Sequence, residues 1–171
     1  MYIFNNIVKR SVYISIVMLT TIRLASININ KLQNKTKQSA LGDFLIQSAI
    51  DIALTQEVAI TNYELPSSYI VYKNPTYSAQ GTAVLVRDNI PVSNVEYHPS
   101  GRITTVQVEN LWICNLYALS GSNQRQQRNE FFATEVATEL QGNKQHIICG
   151  GDFNCVLLPL DLIHPMRCNS W

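Results

Sequence analysis

The sequence predicts an α/β fold of layered sheets with helices packed on them. Three observations support this. Short β-branched and aromatic runs are separated by Pro, Gly and Asn turns, two longer segments repeat apolar residues at helical spacing, and several apolar runs stop abruptly in polar residues. The 171 residues suit one domain with a full core. With 46% hydrophobic and 15% charged residues the chain is excluded from the disordered class. A net charge of +1 gives no global footprint for nucleic acid, so a DNA partner would have to be recognised at a local site.

The first residues stand apart. Lys9-Arg10 precedes an uncharged run over 11–22 that stops at Arg23. The run is about half the length of a transmembrane helix, so a membrane partner is not expected, yet it has the basic flank and apolar middle of a secretory signal. No small-x-small cleavage site follows cleanly, and residues 1–21 read as an extension to a domain over 22–171.

Residues 22–27 alternate as a strand and deliver Asn28 and Asn30 at its end. Thr36, with Asn34 close by, can cap a helix running to about Ser48, with Leu41, Phe44 and Leu45 on one face. Asn34-Lys35-Thr36 would matter as a glycosylation sequon only in a secreted chain. Residues 50–55 form a continuous apolar strand, which implies burial on both faces, closing on Gln56-Glu57. Residues 69–72, 81–87, 103–108 and 111–117 read as further strands, the last two joined as a hairpin by Glu109-Asn110. Ser122 or Asn123 opens a second helix to Gln141, with Phe132, Val136 and Leu140 on one stripe, Glu130, Glu135 and Glu139 mostly off it, and Gly142 as its stop. A last strand over 147–149 breaks into Gly150-Gly151.

The four cysteines, Cys114, Cys149, Cys155 and Cys168, show neither C-x-x-C spacing nor histidines at zinc-ligand intervals. Cys114 and Cys149 sit inside apolar strand patterns. All four are expected to be free and buried, as in an intracellular protein.

The polar strand ends form a constellation. Asn28 and Asn30, Glu57, Tyr117, and Asp152 with Asn154 are residues for which an apolar core has no use, since burying one unpaired costs about 1–3 kcal/mol. They are expected to meet water, a metal or a ligand at one rim of the sheet. Gly-Asp-x-Asn taken alone is equally an ordinary turn, because Asp and Asn bond their own backbone there. Together with the upstream residues it supplies a carboxylate pair with amide neighbours. That is the ligand chemistry of Mg²⁺, which keeps waters for a substrate phosphate to replace.

Ser26-Ile27-Asn28-Ile29-Asn30, Gln56-Glu57, Asn115-Leu116-Tyr117-Ala118 and Gly150-Gly151-Asp152-Phe153-Asn154 resemble, in order and spacing, the successive motifs of the endonuclease/exonuclease/phosphatase superfamily. Within it the chain is most similar to the apurinic-type endonuclease domain of non-LTR retrotransposon polyproteins, with further echoes in residues 80–87, Gly101-Arg102-Ile103, the start of the second helix and Leu158-Pro159-Leu160-Asp161. The resemblance implies a two-sheet α/β sandwich of the DNase I-like kind, incomplete at its C-terminus. It implies DNA nicking with Mg²⁺, or Mn²⁺, on the phosphodiester backbone. Glu57 would be the main metal ligand with Asn28 beside it, Asp152 would orient or deprotonate the attacking water, and Asn154 and Tyr117 would donate to the phosphate, with Asn28 completing the catalytic set and Asn30 at the substrate.

The chain reaches Trp171 without the closing Ser-Asp-His that the resemblance leads one to expect. His98, His146 and His164 lie in a turn, at a strand start and in a Pro-broken tail, and read as structural. Weak or lost activity follows, since groups that act as a unit fail together. The tail Val156-Leu157-Leu158 would enter the second sheet without a partner, so an unpaired edge and aggregation are expected. An intracellular location, nuclear or cytoplasmic, fits the free thiols, and no stable protein partner is implied. The alternatives are a secreted nuclease or phosphatase of the same superfamily, and a non-catalytic remnant that binds nucleic acid or protein.

Overall fold

The computed structural model describes residues 14–17, 21–30, 35–58, 65–74, 81–141 and 144–155. Among these residues nine strands make two sheets. The first holds β1 (Ile14–Val17), β2 (Thr21–Asn28), β3 (Ile52–Val58), β5 (Gly81–Arg87) and β4 (Tyr69–Asn74) in the order β1-β2-β3-β5-β4. The second holds β6 (Asn94–Tyr97), β7 (Ile103–Val108), β8 (Leu111–Tyr117) and β9 (Ile147–Asp152) in that order. Most pairs are antiparallel, but β2 runs parallel to β3 and β8 parallel to β9. No helix among the described residues is long and apolar enough to cross a membrane.

Alternation along the strands sorts the side chains into layers. Leu24, Ile52, Leu54, Val84 and Val86 of the first sheet meet Val106, Val108, Leu111 and Ile113 of the second, forming the sandwich interior. The outer face of the first sheet, with Ala25, Ile27, Ala53 and Leu85, is covered by Leu41 and Leu45 of α1 (Lys35–Gln47). The outer face of the second, with Ile103, Cys114 and Leu116, is covered by Phe131 and Val136. The expected α/β sandwich is therefore what the chain forms, and β3 is buried on both faces as its composition implied.

Where the two sheets approach the rim, polar side chains replace aliphatic ones. Gln56 Nε2 donates to Asn115 Oδ1 at 2.8 Å and to Ser26 Oγ at 3.2 Å, and Asn115 Nδ2 donates to the carbonyls of Thr55 and Ala83 at 2.9 and 2.8 Å. The Thr82 and Thr104 hydroxyls meet at 2.7 Å. Gln56 and Asn115 are almost wholly buried, so each bond is made away from water and each lost partner is costly. Asn115→Leu is expected to lower unfolding stability by about 3 kcal/mol in a urea titration, because it removes a buried acceptor from the Gln56 amide and a buried donor from the carbonyls of Thr55 and Ala83.

Several expectations need correction. The strand over 147–149 does not break at the glycines. Pairing continues to Tyr117↔Asp152, because Gly150 and Gly151 permit a close approach that other residues would block. Thr36 lies inside the first turn of α1 rather than capping it, and Asn34 falls outside the described residues.

The second helix is composite: a 3₁₀ turn (Ser122–Gln124), α2 (Arg125–Phe131), a π turn (Phe132–Val136) and α3 (Ala137–Leu140). The π turn inserts a residue and rotates the stripe. Phe131 and Val136, five apart, are the buried pair, Phe132 is half-buried, and Leu140 is exposed. The same rotation turns Glu135 towards His98 (3.2 Å) and Glu139 towards Lys144 (2.6 Å). Gly142 and the tail Val156-Leu157-Leu158 lie outside the described residues.

Two strands were not anticipated. β6 is a four-residue edge strand, and β1, within the signal-like run, pairs antiparallel with β2 from Ile14↔Leu24 to Val17↔Thr21. Of the cysteines, Cys114 is buried, Cys149 half-buried and Cys155 exposed, all free; Cys155 sits past the end of β9, beyond the strand that would bury it.

Candidate active site

The carboxyl ends of β2, β3, β8 and β9 meet at one rim, and each carries one of the anticipated polar residues. Asn28 closes β2 on the inner face, as alternation from Leu24 and Ser26 requires. In β3 the same alternation would turn Glu57 outwards, towards α1. A β-bulge intervenes: Gln56 pairs with Thr82 and Val58 with Gly81, so Glu57 is the extra residue, at φ 58. The displaced phase sends Val58 into the outer cluster and frees Glu57 to face the rim. A left-handed Glu costs about 1–3 kcal/mol, and its neighbours hold it there.

The second sheet supplies the facing half. Tyr117 and Asp152 are register partners at the ends of β8 and β9. Gly150 sits where a Cβ would come within 2.7 Å of Leu54 in the opposite sheet, and Gly151, at φ 139, where a Cβ would lie 1.9 Å from the Leu116 carbonyl oxygen. These two glycines bring the last strand close enough for Asp152 to reach across the sandwich.

Asn28 joins the halves. Its Nδ2 donates to Glu57 Oε1 at 2.9 Å and to Asp152 Oδ2 at 3.0 Å. Its Oδ1 accepts from the Asn30 N–H at 3.1 Å, so the amide presents nitrogen to the carboxylates, and service as a metal ligand would require it to turn over. Tyr117 Oη donates to Glu57 Oε1 at 3.3 Å. Asn154, at φ 47, gives its backbone N–H to Asp152 Oδ1 (3.1 Å) and one Nδ2 hydrogen to the Ala118 carbonyl (2.8 Å), leaving its second amide hydrogen for a ligand. Asn30 lies exposed two residues beyond Asn28, also left-handed at φ 44.

Burial, and then the charge and hydrogen bond of Glu57, push the Tyr117 phenol up to about 12. Tyr117 therefore stays a protonated donor throughout the neutral range. Because the folded value lies above the ordinary value of 10.0, the phenol contributes stability that is fully present below pH 10 and is lost as pH rises towards 12. Tyr117→Phe is expected to show a shallower loss of stability over that interval when melting temperature is followed against pH.

Two carboxylates, Glu57 and Asp152, bound to one amide nitrogen and without an ion-pair partner among the described residues, are a fitting donor set for a hard divalent cation. No group of three or more His, Cys, Asp or Glu side chains gathers among the described residues, so water and substrate oxygens would complete the coordination. Sequence reasoning missed Arg102, although Gly101-Arg102 was among the echoes. Its Nη1 donates to the Tyr117 carbonyl at 3.1 Å and its guanidinium lies 5.3 Å from the Tyr117 ring centre, seating the ring from below.

The family model for the endonuclease/exonuclease/phosphatase family matches residues 25–171. The chain belongs to that family. Among solved structures, the endonuclease/exonuclease/phosphatase fold recurs in the Neisseria 3′ phosphatase NExo bound to product DNA hairpin (17% identity, 84% of this chain and 62% of that one, TM-score 0.70). It recurs in an AP endonuclease from Archaeoglobus fulgidus (15% identity, 85% and 62%, TM-score 0.67) and in TDP2 from C. elegans (23%, 78% and 48%, TM-score 0.61). The chain thus spans less than two thirds of the length of these structures. No curated protein matches it. Members of this family are hydrolases of phosphoesters and DNA.

Proposed function

We propose that the chain carries the metal-binding side of a Mg²⁺-dependent DNA endonuclease that nicks one strand, of the kind found in non-LTR retrotransposon polyproteins, and that it acts inside the cell. The observation behind this is the Asn28 amide shared by Glu57 and Asp152, which holds two unneutralised carboxylates side by side at the junction of the sheets. Glu57 would hold Mg²⁺, or Mn²⁺ in its place, and Asn28 would join it once its amide turns. When bound, the ion supplies positive charge to a phosphate oxygen.

The remaining work falls to the protein's own groups. Asp152 keeps its carboxylate oxygens as acceptors that orient a water and take its proton. Tyr117 Oη and the second Nδ2 hydrogen of Asn154 donate to the phosphate as negative charge builds there, and Asn30 lies where the flanking backbone would pass. Hydrolysis that breaks the bond to the 3′ oxygen leaves a 3′-hydroxyl able to prime synthesis. A DNA substrate is supported by the Neisseria phosphatase bound to a product DNA hairpin and by D. rerio TDP2 complexed with a single strand DNA product.

Supercoiled plasmid incubated with the chain and Mg²⁺ is expected to relax to the open circle, and EDTA is expected to prevent it. Plasmid retarded on a gel but never nicked would replace this reading with that of a nucleic-acid-binding remnant.

A further inference from the structure

Cys114 in β8 and Cys149 in β9 are register partners on adjacent parallel strands. Alternation puts both on the outer face of the second sheet, in the cluster closed by Phe131 and Val136. Their thiols touch. A hydrogen bond from Cys149 holds the Cys114 thiol below its ordinary value, against the burial that raises it, and the same bond followed by burial pushes Cys149 up. Neighbouring strands lie about 4.8 Å apart. That falls inside the span of roughly 4.4–6.8 Å over which disulfides join Cα atoms.

Two more features separate this pair from ordinary core thiols. Cys149 is only half-buried, which gives a small oxidant one point of entry, while Cys114 is wholly buried and Cys149 is its register partner on the next strand.

We propose that Cys114 and Cys149 form a reversible thiol–disulfide site oxidised by hydrogen peroxide. Peroxide enters at the half-buried Cys149, whose raised thiol makes the reaction slow, and transfers one oxygen to its sulfur, giving a sulfenic acid and one water. The Cys114 sulfur then attacks the Cys149 sulfur, the S–O bond breaks, and the Cys114 proton leaves with the hydroxyl as a second water. Two thiols lose two electrons and one peroxide becomes two waters. A dithiol reverses the step by exchange, itself becoming the disulfide. The link lies on the same two strands as Tyr117 and Asp152, three residues before each, and fastens the outermost described strand of the sheet.

The test uses the full chain under native conditions with limiting peroxide, differential alkylation before and after reduction, and peptide mass mapping. The expected product is one peptide pair joined through Cys114 and Cys149, reversed by dithiothreitol. The melting temperature of the oxidised chain should rise by about 10 °C, as closing the intervening loop predicts, and Cys149→Ser should abolish both the link and the shift. Three results would each overturn the proposal: sulfinic acid at Cys149 with Cys114 still alkylated, Cys149 joined to Cys155, or both thiols unchanged after peroxide has consumed Cys155. None of these readouts depends on nuclease activity, so the site stands or falls separately from the proposed function.

Discussion

Glu57→Gln is expected to lower Mg²⁺-dependent nicking on the order of 10³-fold or more while leaving the chain folded. The substitution keeps the size of the side chain and keeps an oxygen to accept from Asn28 and Tyr117, so the bulge in β3 has no reason to relax. What disappears is the charge. Asp152→Asn is expected to cut activity to a similar extent for a different reason, since an amide accepts no proton from water at neutral pH. Both variants should melt at least as high as the parent without Mg²⁺, because either one removes half of a like-charged pair held together by a single amide. Added Mg²⁺ should raise the melting temperature of the parent and do little for Glu57→Gln. Wild-type nicking by both variants would remove these residues from the chemistry.

Gly151→Ala should be more damaging to the fold than any other single change considered. At φ 139 an alanine is strained, and its Cβ would lie 1.9 Å from the Leu116 carbonyl oxygen, a backbone atom that cannot swing aside. The expected cost is about 3 kcal/mol or more, either through separation of β9 from β8 or through outright unfolding. Urea denaturation followed by circular dichroism measures the loss, and amide exchange at Gly151 and Asp152 would show whether the strand end has detached. An alanine variant as stable as the parent would mean that the tight approach is not required.

The site was easier to read from the sequence than the path that builds it. Asn28, Glu57, Tyr117 and Asp152 each end an apolar run, and a polar side chain that the core cannot use is visible without coordinates. The bulge that re-aims Glu57 left no comparable trace, since the apolar run over 50–55 reads as simply closing on Gln56-Glu57 and the displaced phase arises from pairing with β5. In the helix stripe Val136 is buried as expected, but Phe131 takes the buried place given to Phe132 and Leu140 is exposed, because a π turn depends on packing against the second sheet rather than on composition. Arg102 was overlooked for a similar reason: a cation beside a glycine looks solvated until the Tyr117 ring is found above it. Gln56 and Asn115 were quoted as motif residues, yet their use as a bridge between sheets needs both sheets to be present.

The two sheets are consecutive along the chain. Every strand of the first precedes residue 88 and every strand of the second follows residue 93. Each half of the polypeptide holds the strands of its own sheet, but neither alone holds the proposed centre, because the bond from Asn28 to Asp152 spans 124 positions. The proposed centre therefore requires the two halves to be docked, and loosening between them would separate its residues while both sheets are still intact.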